Sequence, residues 1–213
     1  MTATLPRVLP SPVGKPLPPP GTADAFRKFA QDLAAGRRLR TTETAQFIAE
    51  QFDQLATDWD TTRATGRDDP VRDALARGGP LPRGRCVELG SGTGLFSPLP
   101  AEAFPQVISV DLSMAMLQQA QGRSPLRVQA DAGALPLPEG SVTVIAAIDM
   151  LLFPAEAARV LAFDGVLLWI NQLGSDGPLY LPADKVTAAL PGRWQAVEAE
   201  AGWGSWAVLR RAH

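Results

Sequence analysis

The sequence has very few of the side chains on which most catalytic and metal sites depend. It holds one cysteine, Cys86, and one histidine, the C-terminal His213. A single cysteine excludes an internal disulfide and a zinc site built from thiolates, and we predict no metal site. A lone terminal histidine practically excludes a Ser/His/Asp or Cys/His arrangement. Cys86 lies in an apolar run, which favours a buried and unreactive thiol.

An excess of one charge and a long apolar run are also lacking. The 20 basic and 22 acidic side chains leave a net charge of -2, which does not favour duplex nucleic acid or an anionic membrane as partner. No apolar run approaches the roughly 20 residues of a membrane span, and the N-terminus lacks the core of a signal peptide. We therefore expect a cytoplasmic monomer or homodimer. The basic stretch from Arg37 to Arg40 follows a predicted helix end, where the helix dipole favours cations.

The composition divides the chain into three parts. Residues 1–21 contain seven prolines and no acid, which predicts an extended, disordered tail because proline lacks the backbone donor. Residues 22–80 have helical periodicity, with helices predicted from Thr22 to Gly36, from Thr41 or Thr42 onward, and from Asp69 to Gly78. Residues 81–213 form the predicted core domain.

The core alternates short apolar runs with helical stretches. The runs are too uniformly apolar to be half-exposed, so they predict buried parallel strands; they are residues 86–89, 107–110, 126–129, 142–148 and 166–170. Helices are predicted near residues 113–121, 154–161 and 183–190. The pattern predicts an α/β, Rossmann-like doubly wound sheet of about seven strands, preceded by lid helices. Residues 194–199 and 206–210 predict a final hairpin, so the last strand should be antiparallel. Pro98 and Pro100 predict a short or displaced first crossover helix.

A glycine-rich loop follows the first core strand. Gly90, Gly92 and Gly94 alternate with Ser91 and Thr93, and glycine there permits positive φ and close approach of a ligand to the backbone. A dinucleotide fingerprint would need glycine where Leu95 stands, and a phosphate loop would need a lysine. Both standard phosphate-binding motifs are therefore absent.

Acidic residues mark three consecutive strand ends. They are Glu88, Asp111 and Asp131. Asp111 lies 21 residues after Gly90, a spacing at which a carboxylate can accept both hydroxyls of a ribose. Asp131 follows the third strand, where it could accept the exocyclic amine of a purine. A line of carboxylates suits a nucleoside with a cationic group better than a pyrophosphate.

These segments resemble the class I S-adenosylmethionine (SAM)-dependent methyltransferases, specifically the small-molecule group similar to the enzymes of ubiquinone biosynthesis. The resemblance extends from about Phe52 to Arg211. It is carried by the segments 88–94, 110–117, 131–136 and 158–161. The resemblance implies methyl transfer from SAM to a small-molecule acceptor by in-line displacement, with S-adenosylhomocysteine (SAH) as product and no metal.

The resemblance also implies roles for single residues. Glu88, Gly90 and Gly92 would line the methionine part, Asp111 would bind ribose, Leu112 would cover the adenine, and Asp131 with Ala132 would contact its edge. The full set of predicted cofactor contacts is Glu88, Gly90, Ser91, Gly92, Gly94, Asp111, Leu112, Met116, Asp131, Ala132 and Asp149.

The acceptor side is less well marked. Asp149 follows the fourth core strand and is the predicted general base for a hydroxyl or protonated amine, with Tyr180 as an alternative. The predicted acceptor contacts are Trp59, Met150, Asn171 and Tyr180. The aromatic-Asp box that usually opens the family's fourth strand is replaced by Val142 and Thr143, which leaves the substrate class open.

Two further aromatic-Asp pairs, Phe52-Asp53 and Trp59-Asp60, resemble the lid helix of the family. Simple packing of Phe52 and Trp59 explains this stripe equally well. Two other functions also stay open: a non-catalytic SAM-binding regulatory protein, and a nicotinamide-dependent oxidoreductase, which Leu95 and the acidic strand ends disfavour.

Overall fold

In the computed structural model, which describes residues 2–18, 21–63 and 66–212, eight strands form one mixed sheet. Its spatial order is β1-β7-β8-β6-β5-β2-β3-β4. Met1, Pro19 and Pro20 of the predicted tail lie outside the described residues, as does the C-terminal His213. The strands are β1 (Thr2–Thr4), β2 (Arg85–Leu89), β3 (Gln106–Asp111), β4 (Arg127–Gln129), β5 (Val142–Ile148), β6 (Leu161–Asn171), β7 (Trp194–Ala201) and β8 (Gly204–Arg211).

The described α-helices agree with the helical periodicity of the sequence. The first three precede the core, and the others lie in the connections between strands. They are α1 (Thr22–Ala34), α2 (Thr42–Leu55), α3 (Asp69–Arg77), α4 (Pro98–Ala103), α5 (Met114–Gln119), α6 (Pro154–Val160) and α7 (Ala183–Ala189). As predicted from its two prolines, the first crossover helix, α4, is short. Among the described helices, none combines the length and apolar character needed to cross a membrane.

The sheet topology places one crevice at the carboxyl ends of the central strands. β2 pairs in parallel with β3 on one side and with β5 on the other, so successive connections leave this point in opposite directions. In open α/β sheets, ligands bind at such a switch point. β8 runs antiparallel to both β6 and β7, which confirms the predicted hairpin and the α/β class.

Alternating side chains of the strands divide the interior into two apolar layers. Val87 and Leu89 of β2 pack into one cluster, and Cys86 packs into the other. Cys86 is fully buried, and burial raises the pKa of its thiol far above the ordinary value. The thiol is therefore an apolar packing group at neutral pH.

The prediction of a buried strand at residues 126–129 is wrong. All three residues of β4 are exposed. The reason is position, because β4 pairs with β3 alone and forms one edge of the sheet. Apolar composition in a short run does not distinguish a central strand from an edge strand.

The prediction that the N-terminal tail forms no regular structure is wrong for β1. Thr2–Thr4 pairs in parallel with β7 at the opposite edge of the sheet, and the amide of Leu5 donates to Glu198 O at 2.8 Å. The prolines begin at Pro6, so the residues before it keep the backbone donors that a ladder requires. Beyond Pro6, the tail still contacts the core, since Gly202 N donates to Leu9 O at 3.1 Å.

A buried carboxylate fixes α3 to the last strand. Asp73 accepts hydrogen bonds from Arg77 at 2.5 and 2.6 Å and from the indole of Trp206 at 2.7 Å. Its side chain is 3% exposed. A buried charge needs such partners, and removing it would leave a guanidinium and an indole N–H unpaired.

We therefore expect Asp73→Ala to lower the free energy of unfolding by about 2 to 4 kcal/mol. The matched control is Asp68→Ala, because Asp68, directly before α3, makes no side-chain cap and pairs with Arg72 at a partly exposed position, so it should contribute less than about 1 kcal/mol. Urea denaturation of both variants measures the difference. Equal losses would contradict the role assigned to Asp73.

Candidate active site

The loop after β2 has the positive φ angles that its glycines predicted. Gly90, Gly92 and Gly94 have φ values of 67°, 56° and 69°. The amides of Gly90 and Ser91 donate to Val110 O at 2.9 and 3.1 Å, which fixes the loop to β3. A Cβ built on Gly92 would find no atom closer than 3.9 Å. This residue therefore presents bare backbone to open space.

Asp111 joins the glycine loop to the segment after β3. One carboxylate oxygen accepts from Gly92 N at 2.7 Å, and the other accepts from Ser113 N at 2.8 Å. Burial raises the pKa of Asp111, while these backbone donors oppose the shift. Each carboxylate oxygen keeps acceptor capacity beyond its one backbone bond. The carboxylate also lines the crevice, as predicted.

Asp131 lies at the end of the next strand and also lines the crevice. Its Oδ1 accepts from Gly133 N at 2.6 Å, and its Oδ2 pairs with the guanidinium of Arg40. The Arg40 side chain is 12% exposed and lies over the ring of Phe153 at 5.2 Å. The sequence assigned the basic stretch with Arg40 to the helix dipole at the end of α1, whereas the structure pairs Arg40 with Asp131. The linker after α1 turns it toward the strand ends instead.

The crevice between the lid helices and the strand ends is narrow and mostly apolar, with a volume of about 80 Å³. Arg40, Asp111 and Asp131 are the charged side chains among its lining residues. The others are Phe26, Ile48, Phe52, Gly90, Val110, Leu112, Ala130, Ala132, Met150, Leu151, Phe153 and Leu179. Helices α1 and α2 therefore supply one wall and the core domain supplies the other.

Two lid carboxylates close α2 and the turn after it onto the core. Asp53 accepts from the hydroxyl of Ser113 and, at 3.2 Å, from Ala115 N at the start of α5. Asp60 accepts from the hydroxyl of Thr93 in the glycine loop at 2.5 Å and pairs with Arg123. The acids of the two aromatic-Asp pairs thus hold the C-terminal end of α2 and the turn after it against the core.

The two aromatic residues of those pairs also contact each other. The rings of Phe52 and Trp59 meet edge to face with centroids 5.5 Å apart. Phe52 lines the crevice, and the indole Nε1 of Trp59 lies 3.9 Å from the position of a Cβ on Gly92. Phe52 and Trp59 therefore pack against each other and also face the crevice and the glycine loop. Packing and a lid role are thus compatible interpretations of this pair.

The structure does not bring Glu88 into the crevice with Asp111 and Asp131. Glu88 is 2% exposed, and its Oε2 accepts from the hydroxyls of Ser97 at 2.5 Å and Ser109 at 2.9 Å. Burial raises its pKa to about 7, although both hydroxyls oppose the shift. Alternation along β2 directs Glu88 to the face opposite Val87 and Leu89. Its carboxylate thus bonds to two serines outside the loop 90–94, and the structure does not place Glu88 in the lining of the crevice, where its contact with the methionine part was predicted.

Three other predicted cofactor contacts lie in or under the glycine loop. Met116 is 1% exposed, with its sulfur 3.9 Å from the position of a Cβ on Gly92. A Cβ on Gly94 would meet Ala120 at 3.1 Å, so Gly94 packs against the end of α5. The buried hydroxyl of Ser91 has no hydrogen-bond partner among the described residues.

Asp149 directly follows β5 and has a strained conformation with a φ of 45°. Its Oδ1 accepts from Gln172 N at 2.9 Å. Burial raises the pKa of Asp149 to about 6, and the Gln172 amide and the charges of Arg67 and Arg63 oppose that rise. The next residue, Met150, a predicted acceptor contact, lines the crevice.

Two predicted acceptor contacts lie away from the crevice. The Asn171 side chain is bonded to the backbone of Leu181 through both its oxygen and its nitrogen, so it fixes the loop between them. Tyr180 lines clefts beside α7 and β7. Neither residue belongs to the lining of the crevice.

Comparison with known proteins agrees with this geometry. Residues 87–168 match the model of a family described as a methyltransferase domain. Residues 87–168 are thus similar to a methyltransferase domain. No curated protein matches the chain by sequence. Among the described residues, no group of three or more His, Cys, Asp or Glu side chains is arranged to hold a metal.

Solved structures share the fold at low sequence identity. The DhpI–SAH complex is 22% identical over 81% of this chain and 99% of its own, at a TM-score of 0.64. A SAM-dependent methyltransferase from Thermotoga maritima is 18% identical over 75% of this chain and 97% of its own, at a TM-score of 0.57. Phosphoethanolamine N-methyltransferase 1 from Haemonchus contortus, solved with phosphoethanolamine and SAH, is 23% identical over 64% and 34%, at 0.52. The chain thus spans about a third of that last protein.

The raised pKa of Glu88 predicts a pH-dependent cost of folding. Between its ordinary value of 4.5 and about 7, the unfolded chain releases the proton while the folded chain retains it, so stability falls as pH rises through this window. We expect Glu88→Gln to remove this cost. Relative to the natural protein, the free energy of unfolding of the variant should rise between pH 4.5 and 7 by at most about 3 kcal/mol. Above pH 7 the difference between the two proteins should stay constant.

Urea denaturation across pH 4.5 to 8 measures this gain. Glu102→Gln is the control, because Glu102 is an exposed residue of α4. Parallel stability curves for Glu88→Gln and the natural protein would show that the carboxylate is already ionised in the folded state.

Proposed function

We propose that the protein is a SAM-dependent methyltransferase that acts on a small-molecule acceptor. The observation that carries the proposal is the convergence, at one switch point, of an open glycine loop and the carboxylates of Asp111 and Asp131. The match of residues 87–168 to a methyltransferase domain supports it. A narrow, mostly apolar crevice beneath a helical lid favours a small acceptor over a macromolecule.

The residues present fit this cofactor. Asp111 keeps acceptor capacity for the two ribose hydroxyls. Gly92 leaves room for the methionine part against bare backbone, and the unpartnered hydroxyl of Ser91 lies in the same loop. Leu112 and Ala132 line the apolar position for the adenine. Asp131 accepts a hydrogen bond from the exocyclic amine of the adenine. Arg40, which pairs with the same carboxylate, must then share it with the amine or move away.

The lid has to open before the cofactor enters. A volume of about 80 Å³ is well below the roughly 300 to 1,000 Å³ of small-molecule sites. Opening separates Asp53 from Ser113, Asp60 from Thr93 and Arg40 from Asp131. Closure then excludes water from the reacting groups.

SAM supplies a methyl group that is bound to a sulfonium sulfur. On transfer, the sulfur keeps the electrons of the carbon–sulfur bond and becomes a neutral thioether. The protein mainly aligns acceptor and donor, and positioning of this kind can contribute about 7 to 11 kcal/mol. Asp149 is the proposed base for an acceptor that must lose a proton. With a pKa of about 6, its carboxylate is mostly ionised at neutral pH and can take that proton.

Asp111→Asn tests the cofactor assignment. The amide cannot accept from both backbone amides and both ribose hydroxyls, because one of its two polar atoms is a donor. A hydrogen bond to a charged group contributes about 1.5 to 3 kcal/mol, so the dissociation constant for SAM should rise about 10- to 150-fold. Calorimetric titration with SAM and SAH measures the change, and methyl transfer to a metabolite extract should fall with it.

Asp184→Asn is the matched control, because Asp184 is an exposed residue in the first turn of α7. It should bind SAM as the natural protein does. Equal binding by the two variants would remove Asp111 from the site. Natural protein that binds NAD and not SAM would contradict the proposal, and SAM binding without transfer to any acceptor would assign the regulatory function instead.

A further inference from the structure

A second cleft, of about 470 Å³, adjoins the crevice. Ile48 and Phe52 of α2 line the crevice, and Leu55, at the end of the same helix, lines the cleft. Leu179 lines the crevice, and the preceding residue, Pro178, lines the cleft. Neighbouring stretches of α2 and of the loop 178–179 therefore line the two spaces. The volume lies within the range of about 300 to 1,000 Å³ typical of small-molecule sites.

Two arginines line this otherwise largely apolar cleft. They are Arg63 and Arg67, with Leu173 beside them and the exposed Asp58 as a further charged residue. The Nε of Arg67 is buried and has no hydrogen-bond partner within the described part of the chain. Arg63 lies over the ring of Trp59, 3.5 Å from its centroid. A buried guanidinium N–H without an acceptor is costly, and a bound anion would satisfy it.

The charges around the arginines leave the cleft positive. Burial lowers the pKa of both Arg63 and Arg67, and the Asp149 carboxylate opposes this for both. The Asp149 carboxylate thus acts on both guanidinium groups, which also repel each other. Asp58 is exposed, and solvent screens its charge.

Arg67 is held in place by its backbone. The side chain of Gln172 donates to Arg67 O at 2.9 Å. Gly66, with a φ of 73°, lies so close to Trp203 that a Cβ would come within 2.6 Å of the ring. The backbone at residues 66 and 67 is therefore held against the core, and such preorganisation lowers the entropic cost of binding.

We propose that this cleft is the acceptor site, and that it takes a small molecule with an apolar body and an anionic head group, a carboxylate or a phosphonate, bound by Arg67 together with Arg63. The inference rests on the proposed function and specifies its substrate class. The Asp149 carboxylate interacts electrostatically with both arginines, and the next residue, Met150, lines the crevice. An acceptor held by its anionic group in the cleft would place its other end toward the methyl donor.

The test uses octanoate, octylphosphonate and octanamide as probes of matched length, titrated into the full chain with and without SAH. We expect octanoate or octylphosphonate to bind at least about 10-fold more tightly than octanamide, because a charged hydrogen bond contributes that much. The two acids distinguish the carboxylate from the phosphonate. Arg67→Gln should lose this preference, and Arg67→Lys should restore part of it because the charge is kept.

Arg72→Gln is the control, since Arg72 pairs with Asp68 on the exposed face of α3; thermal melting checks that every variant is folded. Equal binding of octanamide and the acids, or unchanged octanoate binding by Arg67→Gln, would overturn the proposal. A loss of about 10-fold or more in SAH affinity in Arg67→Gln would also overturn it, because the arginines would then serve the cofactor's own carboxylate. Failure of the natural protein to bind SAH contradicts the proposed function separately.

Discussion

The carboxylate of Asp111 is the constraint on which the rest of the site depends. It stands at the end of β3 and accepts one amide from the glycine loop and one from the start of α5. Loops that follow two neighbouring strands are thereby fixed to one side chain. Burial makes the charged form of this carboxylate costly, and the two amides offset part of that cost. The positive φ of Gly92 and the first turn of α5 both rely on this arrangement.

The lid uses the same edge of the sheet. Asp53 binds the segment that Asp111 caps, and Asp60 binds Thr93 in the loop that Asp111 holds. Arg40 adds a third contact through Asp131. Partly exposed ion pairs and hydrogen bonds of this kind are individually weak, about 1 kcal/mol or less. A lid held by a few of them can stay closed over a narrow crevice and still open for a ligand.

The sequence predicted what depends on local pattern. Alternating apolar and helical segments predicted the central strands and helices, and the prolines predicted the short α4. The offset of Asp111 from Gly90 placed that carboxylate correctly at the crevice. Glu88 was misplaced because alternation along β2 shows that two faces exist but not which face carries the crevice.

Contacts between distant segments could not be predicted in the same way. Arg40 and Asp131 lie 91 residues apart in the sequence. No pattern in the residues around Arg40 predicts that it pairs with a carboxylate at a strand end. Thr2–Thr4 pairs with a strand at the other end of the chain. The aromatic-Asp pairs of the lid were visible, but the partners of Asp53 and Asp60 were not. The cytoplasmic location and the oligomeric state stay predictions.

The central claim is that one ligand, SAM, is enclosed between the strand ends and the lid. Hydrogen exchange with and without SAM tests it most directly, because amide protection reports local opening segment by segment. The account predicts added protection in three places at once: the loop 90–94, the segment 111–117, and the lid from Thr42 to Asp60. Protection that is absent from all three, or confined to β7 and β8, would contradict it.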